Sequence, residues 1–322
     1  MNLGAGGTGV TPYAYTIFQQ PWWLDAVAPR RWAECRVERD GNVVARLPYV
    51  VRRRHGLTLI TQPPLTQALG PWISSTAGAK DAGLDDQRAL VAGLIEQLPR
   101  HDYFTQACAP VLTDWLPFHW QGFDQRTLYT YVLDDLRDLD RVWAGLRKGP
   151  RRYIRKAQKT LSVRDDLGID VLHGTLVATF ERQGLRVPWS LGQIERLERA
   201  CAARNSRRAL FAVDAADRVH AAVYLVHDAN VTYYLLSGAF PELRSSGAQS
   251  LLVWEGIRFA ATVSRCFDFE GSMIEPIERF FRSFGARQVP YFRIHRMSRR
   301  MSILMGLRTT AEALLARQST RP

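Results

Sequence analysis

The chain has 322 residues, 46% of them hydrophobic, which is enough to bury a core and excludes an intrinsically disordered protein. Lysine and arginine outnumber aspartate and glutamate by 43 to 31, a formal net charge of +12 that favours an acidic or phosphorylated partner without identifying it. The four cysteines form no CxxC pair and no metal-ligand pattern with histidine, so we expect reduced thiols, no metal site and a cytoplasmic protein.

The first residues, 1–12, are predicted to be a flexible leader. Gly4, Gly6 and Gly9 match the spacing GxGxxG, but a dinucleotide-binding fingerprint follows a strand, and no strand precedes these glycines. Residues 1–29 contain neither lysine nor arginine, which argues against a secretory signal or a transit peptide. Because no apolar run approaches the roughly 18 residues of a membrane-spanning helix, we predict no transmembrane segment.

Two stretches of the chain follow the same order of elements. Residues 31–65 read as three strands separated by the turns at Asp40–Asn42 and His55–Gly56, and an amphipathic helix and a further strand follow. Residues 207–270 repeat this order of three strands, helix and strand. We therefore predict an α+β (mixed α/β) fold of two tandem domains, each a mostly antiparallel sheet with flanking helices.

The predicted boundaries follow from this repeat. The N-terminal domain is expected over residues 13–135 and the C-terminal domain over residues 166–294, with a basic helical connector over residues 136–165. Residues 295–322 are expected to form a C-terminal tail, and whether this tail packs on the first domain stays open.

A strongly basic segment lies between the two halves. Residues 147–161 contain seven basic side chains and no acid, and Gly149-Pro150 predicts a helix that starts at the proline. In that helix Tyr153, Ile154, Ala157 and Leu161 would form a narrow apolar stripe. The remaining faces would carry two rows of cations: Lys148, Arg152 and Lys156, and Arg151, Arg155 and Lys159.

This helix can be interpreted as an ordinary solvated surface or as a surface that faces a polyanion. Like charges at i,i+4 spacing destabilise a helix, and a merely solvated helix usually includes glutamates, so we favour the polyanion. A second acid-free stretch, Arg279–Arg308, contains eight arginines. Whether the two segments line one cleft stays open.

A short loop in the second half is a candidate site for binding phosphate groups. It lies between a predicted strand and a predicted helix, where free backbone N–H groups at the helix N-terminus bind anions. The candidate residues are Arg244, Ser245, Ser246, Gly247, Ala248 and Gln249.

The order of β-meander, loop, helix and strand resembles the GNAT acyltransferase fold, whose pyrophosphate loop has the pattern (Q/R)xxGx(G/A). Arg244, Gly247 and Ala248 match this pattern, whereas Gln249 stands where a small residue is usual. The stretch FDFEGSMIEPIERFFRSFGARQVPYFRI, residues 267–294, resembles the FemAB-like, BioF2-type acetyltransferase-domain proteins, which have tandem GNAT-like domains. Further stretches with this resemblance are residues 18–27, 62–72, 151–158 and 233–257.

This resemblance implies an N-acyltransferase or aminoacyltransferase that binds no resident cofactor. The donor would be acyl-CoA or aminoacyl-tRNA as a cosubstrate, and the acceptor an amine, either nucleotide-linked or lipid-linked. The basic helix would then bind the acceptor or another polyanion and face the phosphates of either donor or acceptor. The pathways implied are cell-envelope, polysaccharide or natural-product biosynthesis. The oligomeric state is not implied.

The resemblance also points to a catalytic cation. The family motif near the C-terminus resembles (F/Y)KxxF(G/N), and Phe281, Phe284 and Gly285 match it, while Arg282 takes the place of the lysine. Arginine keeps the positive charge but donates no proton at neutral pH. We therefore expect Arg282 to stabilise the developing oxyanion electrostatically.

Two carboxylates are candidates for the base that frees the attacking amine. In a strand over CFDFEG, Asp268 and Glu270 would share one face, while Phe267 and Phe269 would face the core. Glu270 is the first choice for the base and Asp268 the second, and an ion pair of Asp268 with an arginine is the alternative. Tyr234, on the preceding strand, is a candidate to orient the acyl carbonyl.

A second hypothesis belongs to a different class of protein. The unusual Arg282 and Gln249 would suit a non-catalytic nucleic-acid or polyanion-binding protein on a GNAT-like fold. Steep salt dependence of nucleic-acid binding without acyl transfer would select it.

Overall fold

The computed structural model describes residues 14–74 and 83–305. Contacts divide the chain into two compact units: a first unit of residues 1–127 and 291–322, and a second unit of residues 128–290. The predicted leader, the GxGxxG glycines and the end of the predicted tail lie outside the described residues. The segment predicted as a connector, 136–165, lies within the second unit.

The first unit contains a sheet with the strand order β1-β2-β3-β5-β12, and β4 pairs with β2 as well. The strands are β1 (Trp32–Arg39), β2 (Asn42–Arg54), β3 (Leu57–Thr61), β4 (Trp72–Ile73), β5 (Tyr103–Ala107) and the second half of β12 (Arg287–Met297). The helices include α1 (Pro21–Val27), α2 (Leu84–Glu96) and α3 (Leu116–Trp120), and residues 299–305 are helical as well. The contact between β3 and β5 is parallel, and the other pairs are antiparallel.

The two hairpins of the first unit are formed by turns in the left-handed region. Asp40 and Gly41 have φ of 50° and 76°, and His55 and Gly56 have φ of 50° and 71°. Two-residue turns with positive φ match the twist of the flanking strands. The predicted turns at these positions are confirmed.

The second unit contains a sheet with the order β6-β11-β10-β9-β8-β7. Its strands are β6 (Asp124–Leu133, from residue 128), β7 (Leu161–Arg164), β8 (Arg207–Asp214), β9 (Val219–His227), β10 (Val231–Ala239) and β11 (Cys266–Asp268). Its helices are α4 (Leu139–Gly145), α5 (Lys148–Ala157), α6 (Ile169–Glu181), α7 (Leu191–Ala202), α8 (Ala248–Val263) and α9 (Glu275–Arg282). The predicted order of three strands, helix and strand is confirmed, and so is the mixed α/β class with mostly antiparallel sheets.

Helices cover both faces of the second unit's sheet. On one face Leu225 of β9 packs against α8, so closely that a Cβ added at Gly256 would lie 3.0 Å from its side chain. On the other face the adjacent Tyr224 donates its hydroxyl hydrogen to Glu198 of α7 at 2.6 Å. Because neighbouring side chains of a strand point to opposite faces of the sheet, Leu225 contacts the helix on one face and Tyr224 the helix on the other.

Among the helices of the described ranges, none combines the length and the apolar composition that crossing a bilayer requires.

Candidate active site

The basic helix α5 packs on the second unit through a different face from the one predicted. It begins at Lys148 rather than at Pro150, and its buried residues are Pro150, Ile154 and Ala157, which follow at i, i+4 and i+7. Tyr153 is 41% exposed, so its assignment to the buried stripe was wrong. Its ring lies beside this face and 5.1 Å from the guanidinium carbon of Arg152. Leu161 is buried, but in β7.

Five cations of α5, together with Lys159 just beyond its end, surround one surface pocket. Its volume is about 580 Å³, and we call it the basic pocket. Of the residues that the structure describes, no carboxylate forms an ion pair with any of the six side chains. The lining residues are Lys148, Arg151, Arg152, Arg155, Lys156 and Lys159.

In the second acid-free stretch, Arg279–Arg308, several arginines form ion pairs, unlike the cations of the basic pocket. Arg279 pairs with Glu275 and Arg282 with Glu278, while Arg287 binds Asp134 through two hydrogen bonds of 2.8 and 2.7 Å. Two carboxylates just before this stretch and one from β6–α4, Asp134, therefore neutralise its beginning. The cations of the basic pocket, by contrast, have no such carboxylate among the described residues.

The candidate phosphate loop lies directly against α5. Lys156 donates a hydrogen bond from Nζ to the carbonyl oxygen of Ser245 at 2.7 Å. Gly247 has a φ of 85°, and a Cβ there would lie 2.6 Å from the carbonyl oxygen of Tyr153. Only glycine allows this approach of two backbones. The structure thus brings the predicted loop and the predicted basic helix together.

The loop itself contains regular secondary structure and is not a simple open turn. Residues Pro241–Ser246 form a 3-10 helix with Arg244 and Ser245 exposed, and α8 begins at Ala248 after Gly247. The amide of Ala248 donates to the hydroxyl of Ser246 at 3.3 Å. The arrangement leaves the N-terminus of α8 next to the cations of α5.

Gln249, the residue that departs from the loop pattern, turns inwards and donates a hydrogen bond from Nε2 to the hydroxyl of Tyr234. Tyr234 is 5% exposed, and its ring centroid lies 5.8 Å from that of Phe281. Burial raises the pKa of Tyr234 to about 12, although hydrogen bonds with Ser237 and Gln249 act in the opposite direction. The phenol is therefore neutral at physiological pH and able to donate.

The sheet opens beside Tyr234. Strands β10 and β11 run parallel and pair only as far as Tyr233 and Asp268, where β11 ends while β10 continues to Ala239. A register shift in β10 just after Tyr234 marks the same point. Asp268 lies at this opening, and the predicted core residues Phe267 and Phe269 are both buried.

Asp268 is buried and bonded to uncharged donors. Its Oδ1 accepts hydrogen bonds from the hydroxyl of Thr130 and from the amide of Glu270, the latter at 2.7 Å. Burial raises the pKa of Asp268 to about 6, and the two hydrogen bonds oppose this shift in part. Among the described residues it forms no ion pair, so the alternative role as an arginine partner is wrong.

Glu270 lies beyond the strand and not within it, which corrects the predicted extent of the strand. Its φ is 58° and that of Gly271 is 68°, both in the left-handed region. A Cβ at Gly271 would lie 2.0 Å from the carbonyl oxygen of Tyr129, so this turn requires glycine. Burial, and then the negative charge of Asp268, raise the pKa of Glu270 well above its usual value.

Arg282 has an acidic partner that the sequence analysis did not identify. Its Nε donates to Oε1 of Glu278 at 2.6 Å, and the same oxygen accepts a hydrogen bond of 2.7 Å from the hydroxyl of Tyr131. Gln288 donates in turn to that hydroxyl at 2.8 Å. The guanidinium is thus held in place by Glu278 while it stays 44% exposed.

Sequence reasoning missed Thr130, Tyr131 and Glu278. Glu278 had a signal, because it precedes Arg282 by one helical turn, a spacing at which opposite charges pair. Thr130 and Tyr131 had none, because their proximity to Asp268 and Glu278 depends on the pairing of β6 with β11, two strands that are far apart in the chain.

One family model matches part of this chain. Residues 144–282 match the family model described as acetyltransferase (GNAT) domain. A comparison with characterised protein sequences found no significant match. The second unit, from α5 to α9, thus corresponds to the segment that the family model covers.

Several solved structures have the same fold. A crystal structure of FemX has a TM-score of 0.62 at 12% identity, and the match covers 88% of this chain and 93% of that one. The C-terminal domain of a lysylphosphatidylglycerol synthetase from Agrobacterium fabrum has a TM-score of 0.54 at 13% identity, covering 81% and 84%. A tandem GNAT protein from clavulanic acid biosynthesis has a TM-score of 0.51 at 13% identity, covering 83% of both chains.

Proposed function

We propose that this chain, which has a FemX-like GNAT fold, is an N-acyltransferase that moves an acyl or aminoacyl group from a phosphate-bearing donor to an amine. The donor would be acyl-CoA or aminoacyl-tRNA. The observation that carries this proposal is the pair of buried carboxylates with raised pKa values, Asp268 and Glu270, at the point where β10 and β11 separate. Carboxyl groups with perturbed pKa values in such a position are typical of catalytic bases.

Phosphate groups of the donor would bind at the basic pocket and the loop. Six side chains without carboxylate partners create a positive potential that attracts phosphate. The N-terminus of α8 adds backbone N–H groups at Gly247 and beyond. Both proposed donors carry phosphate, so this surface accommodates either of them.

The carboxylates would deprotonate the acceptor. A primary amine is mostly protonated at neutral pH and must lose a proton before it attacks. Glu270 would accept this proton, and Asp268 would hold the backbone of Glu270 through its hydrogen bond to the amide. A raised pKa makes a carboxylate a stronger base, which suits this role.

Transfer would then proceed by direct attack of the amine nitrogen on the acyl carbonyl. The new C–N bond forms as the carbonyl becomes a tetrahedral oxyanion, and collapse of this intermediate releases the thiolate of CoA or the ribose oxygen of tRNA. The leaving group takes up the proton that the attacking nitrogen loses as the amide forms. Tyr234 would orient the carbonyl through its hydroxyl, and Arg282 would stabilise the oxyanion electrostatically.

The experiment that tests this proposal measures acyl transfer and donor binding together. The melting temperature is recorded with CoA, acetyl-CoA and a charged tRNA pool, since a ligand at 100 times its Kd adds about 2.7 kcal/mol to stability. Release of free thiol from acetyl-CoA is then followed with a panel of primary amines. A shift with CoA or tRNA together with amide formation supports the proposal.

A variant of the candidate base, Glu270→Gln, should lose this transfer, and its matched control is Glu255→Gln, which removes an ion-paired carboxylate of α8 outside the proposed site. Nucleic-acid binding that weakens steeply with salt, without amide formation from any donor, would instead select the non-catalytic polyanion-binding protein.

A further inference from the structure

Tyr153 is an exposed aromatic side chain on an otherwise cationic helix. It is the only aromatic residue of α5, and its exposed fraction is 41%. Single exposed aromatic residues are common on protein surfaces and need no function by themselves. Tyr153 is different because the six cations of the basic pocket lie on the adjacent face of the same segment.

The backbone of Tyr153 is fixed against the loop before α8. A Cβ at Gly247 would lie 2.6 Å from the carbonyl oxygen of Tyr153 and 3.3 Å from its Cβ, so the two segments are in direct contact. Lys156 holds the same loop through its hydrogen bond to the carbonyl oxygen of Ser245. A tyrosine on such a rigid support has only two side-chain torsions to order, so it loses little conformational entropy when it stacks on a ligand.

The ring of Tyr153 lies at the margin of the basic pocket. Its centroid is 5.1 Å from the guanidinium carbon of Arg152, a lining residue of the pocket, and Nη2 of Arg152 donates to the Tyr153 hydroxyl at 3.5 Å. Tyr153 therefore contacts both the pocket and the loop at Gly247. Aromatic rings beside cations are typical of surfaces that bind nucleotides, because the ring stacks on a base while the cations bind phosphates.

The pocket is larger than phosphate groups alone require. Its volume of about 580 Å³ is within the range of roughly 300–1,000 Å³ that is usual for sites of small-molecule ligands. Cations alone recognise negative charge, which all polyanions share. A ring next to them adds a preference for a planar aromatic group, and every nucleobase has a face on which such a ring can stack. The class of ligand that meets both conditions is a nucleoside phosphate.

We propose that Tyr153 stacks on a nucleobase, so that the basic pocket binds a nucleoside phosphate and not phosphate alone. This rests on the proposed function, in which the donor is acyl-CoA or aminoacyl-tRNA. Both donors contain adenosine attached to phosphate, CoA in its nucleotide and tRNA at its 3′ end. The base would lie on the ring of Tyr153 and the phosphates among the cations. Tyr153 is thus a residue that selects the donor and touches no reacting atom.

The test measures binding to the full chain without any acyl group. Affinities for AMP and ribose 5-phosphate, which carry the same phosphate and differ by the base, are compared by isothermal titration calorimetry at low ionic strength. We expect AMP to bind at least about fivefold more tightly to the wild type, because one stacked base contributes this much or more. In Tyr153→Leu the preference falls to twofold or less, whereas Tyr153→Phe keeps the ring and the preference.

The matched control is Trp120→Leu in the first unit. Trp120 is 62% exposed and its ring centroid lies 5.4 Å from the guanidinium carbon of Arg88, so the variant removes another exposed ring beside an arginine. It should keep the fivefold preference. Equal affinities of the wild type for the two ligands, or an unchanged preference in Tyr153→Leu, would overturn the proposal and leave a site for phosphate alone. Loss of the preference in Tyr153→Phe would also overturn it, since the ring is still present.

Two further ligands distinguish the sources of the nucleotide. CoA and a short RNA that ends in CCA are each titrated into the wild type and Tyr153→Leu. Weaker binding of CoA alone to the variant supports the proposal with CoA as the source, and weaker binding of the RNA alone supports it with tRNA as the source. If the variant binds both ligands as tightly as the wild type, Tyr153 contacts neither base and the proposal is wrong.

The two proposals fail in different ways. If the preference for AMP depends on Tyr153 while no donor yields an amide, acyl transfer is refuted and the chain is a nucleotide-binding protein of another kind. If amide formation is found and Tyr153→Leu has the wild-type KM for the donor, the proposed function stands and Tyr153 does not bind the base.

Discussion

Lys156 of α5 donates a hydrogen bond from Nζ to the carbonyl oxygen of Ser245. This contact connects two segments that are separated by 89 residues and that the sequence analysis proposed independently as anion sites. One cation of the basic pocket therefore also fixes the loop before α8. The candidate donor site is a single surface of the second unit and not two separate ones.

Gly247→Ala is expected to destabilise this surface. Alanine at a φ of 85° is strained, and its Cβ would lie 2.6 Å from the carbonyl oxygen of Tyr153. We expect a loss of about 1 to 3 kcal/mol in the free energy of unfolding, measured by urea denaturation, together with weaker donor binding. Gly149→Ala in α5, where a Cβ meets nothing within 4 Å, is the control and should be neutral or stabilising. Equal effects of the two variants would contradict the packing argument.

The raised pKa of Asp268 predicts a specific dependence of stability on pH. An acid whose pKa is about 6 in the folded protein and about 3.9 when unfolded binds its proton more tightly in the folded state. This stabilising contribution is complete below about pH 4 and is lost as the pH rises through about 6, a change on the order of 3 kcal/mol.

Asp268→Asn removes this titration. Its free energy of unfolding, relative to the wild type, should therefore increase between pH 4 and pH 7. Urea denaturation at both pH values measures the difference, and parallel stability profiles of the two proteins would show that Asp268 does not titrate in this way.

Glu270→Gln should abolish most of the acyl transfer while the fold is kept. Loss of a general base lowers kcat by roughly 10²- to 10⁴-fold, and donor binding should be unchanged because the basic pocket is intact. The measurements are kcat with a primary amine and the melting-temperature shift with the donor. Turnover of Glu270→Gln at the wild-type rate would show that Glu270 is not the general base.

Two variants of Arg282 distinguish the contribution of its charge from that of the guanidinium geometry. Arg282→Lys keeps a cation within reach of Glu278, whereas Arg282→Ala removes it. We expect Arg282→Lys to keep kcat within about tenfold of the wild type, and Arg282→Ala to lose about 10²-fold, in the range found for a lost oxyanion donor. Wild-type turnover in Arg282→Ala would show that Arg282 forms the ion pair with Glu278 but takes no part in catalysis.

The regular elements could be predicted from the sequence because their signals are local. The turn at Asp40-Gly41 and the three strands within residues 207–239 depend on neighbours in the chain, and both are found in the structure. The clustering of the five cations of α5 also follows from helical spacing alone. Local patterns were sufficient for these features.

The remaining features depend on contacts between distant segments. Strands β6 and β12 each run through the boundary between the two units, which no change in composition marks. The strand with Asp268 ends early because Gly271 must approach the backbone of Tyr129. Tyr153 is exposed because the buried face of α5 is set by what lies beneath it, which the sequence of the helix does not encode.

The left-handed conformation of Glu270 gives this position a diagnostic value. A residue other than glycine at such a φ carries a strain of about 1 to 2 kcal/mol, and a buried acid adds a further cost to folding. Glycine would relieve both. A lineage that no longer needed the carboxylate would gain stability by losing it. The identity of this one residue in any set of related chains should therefore separate those that still perform proton transfer from those that have abandoned it.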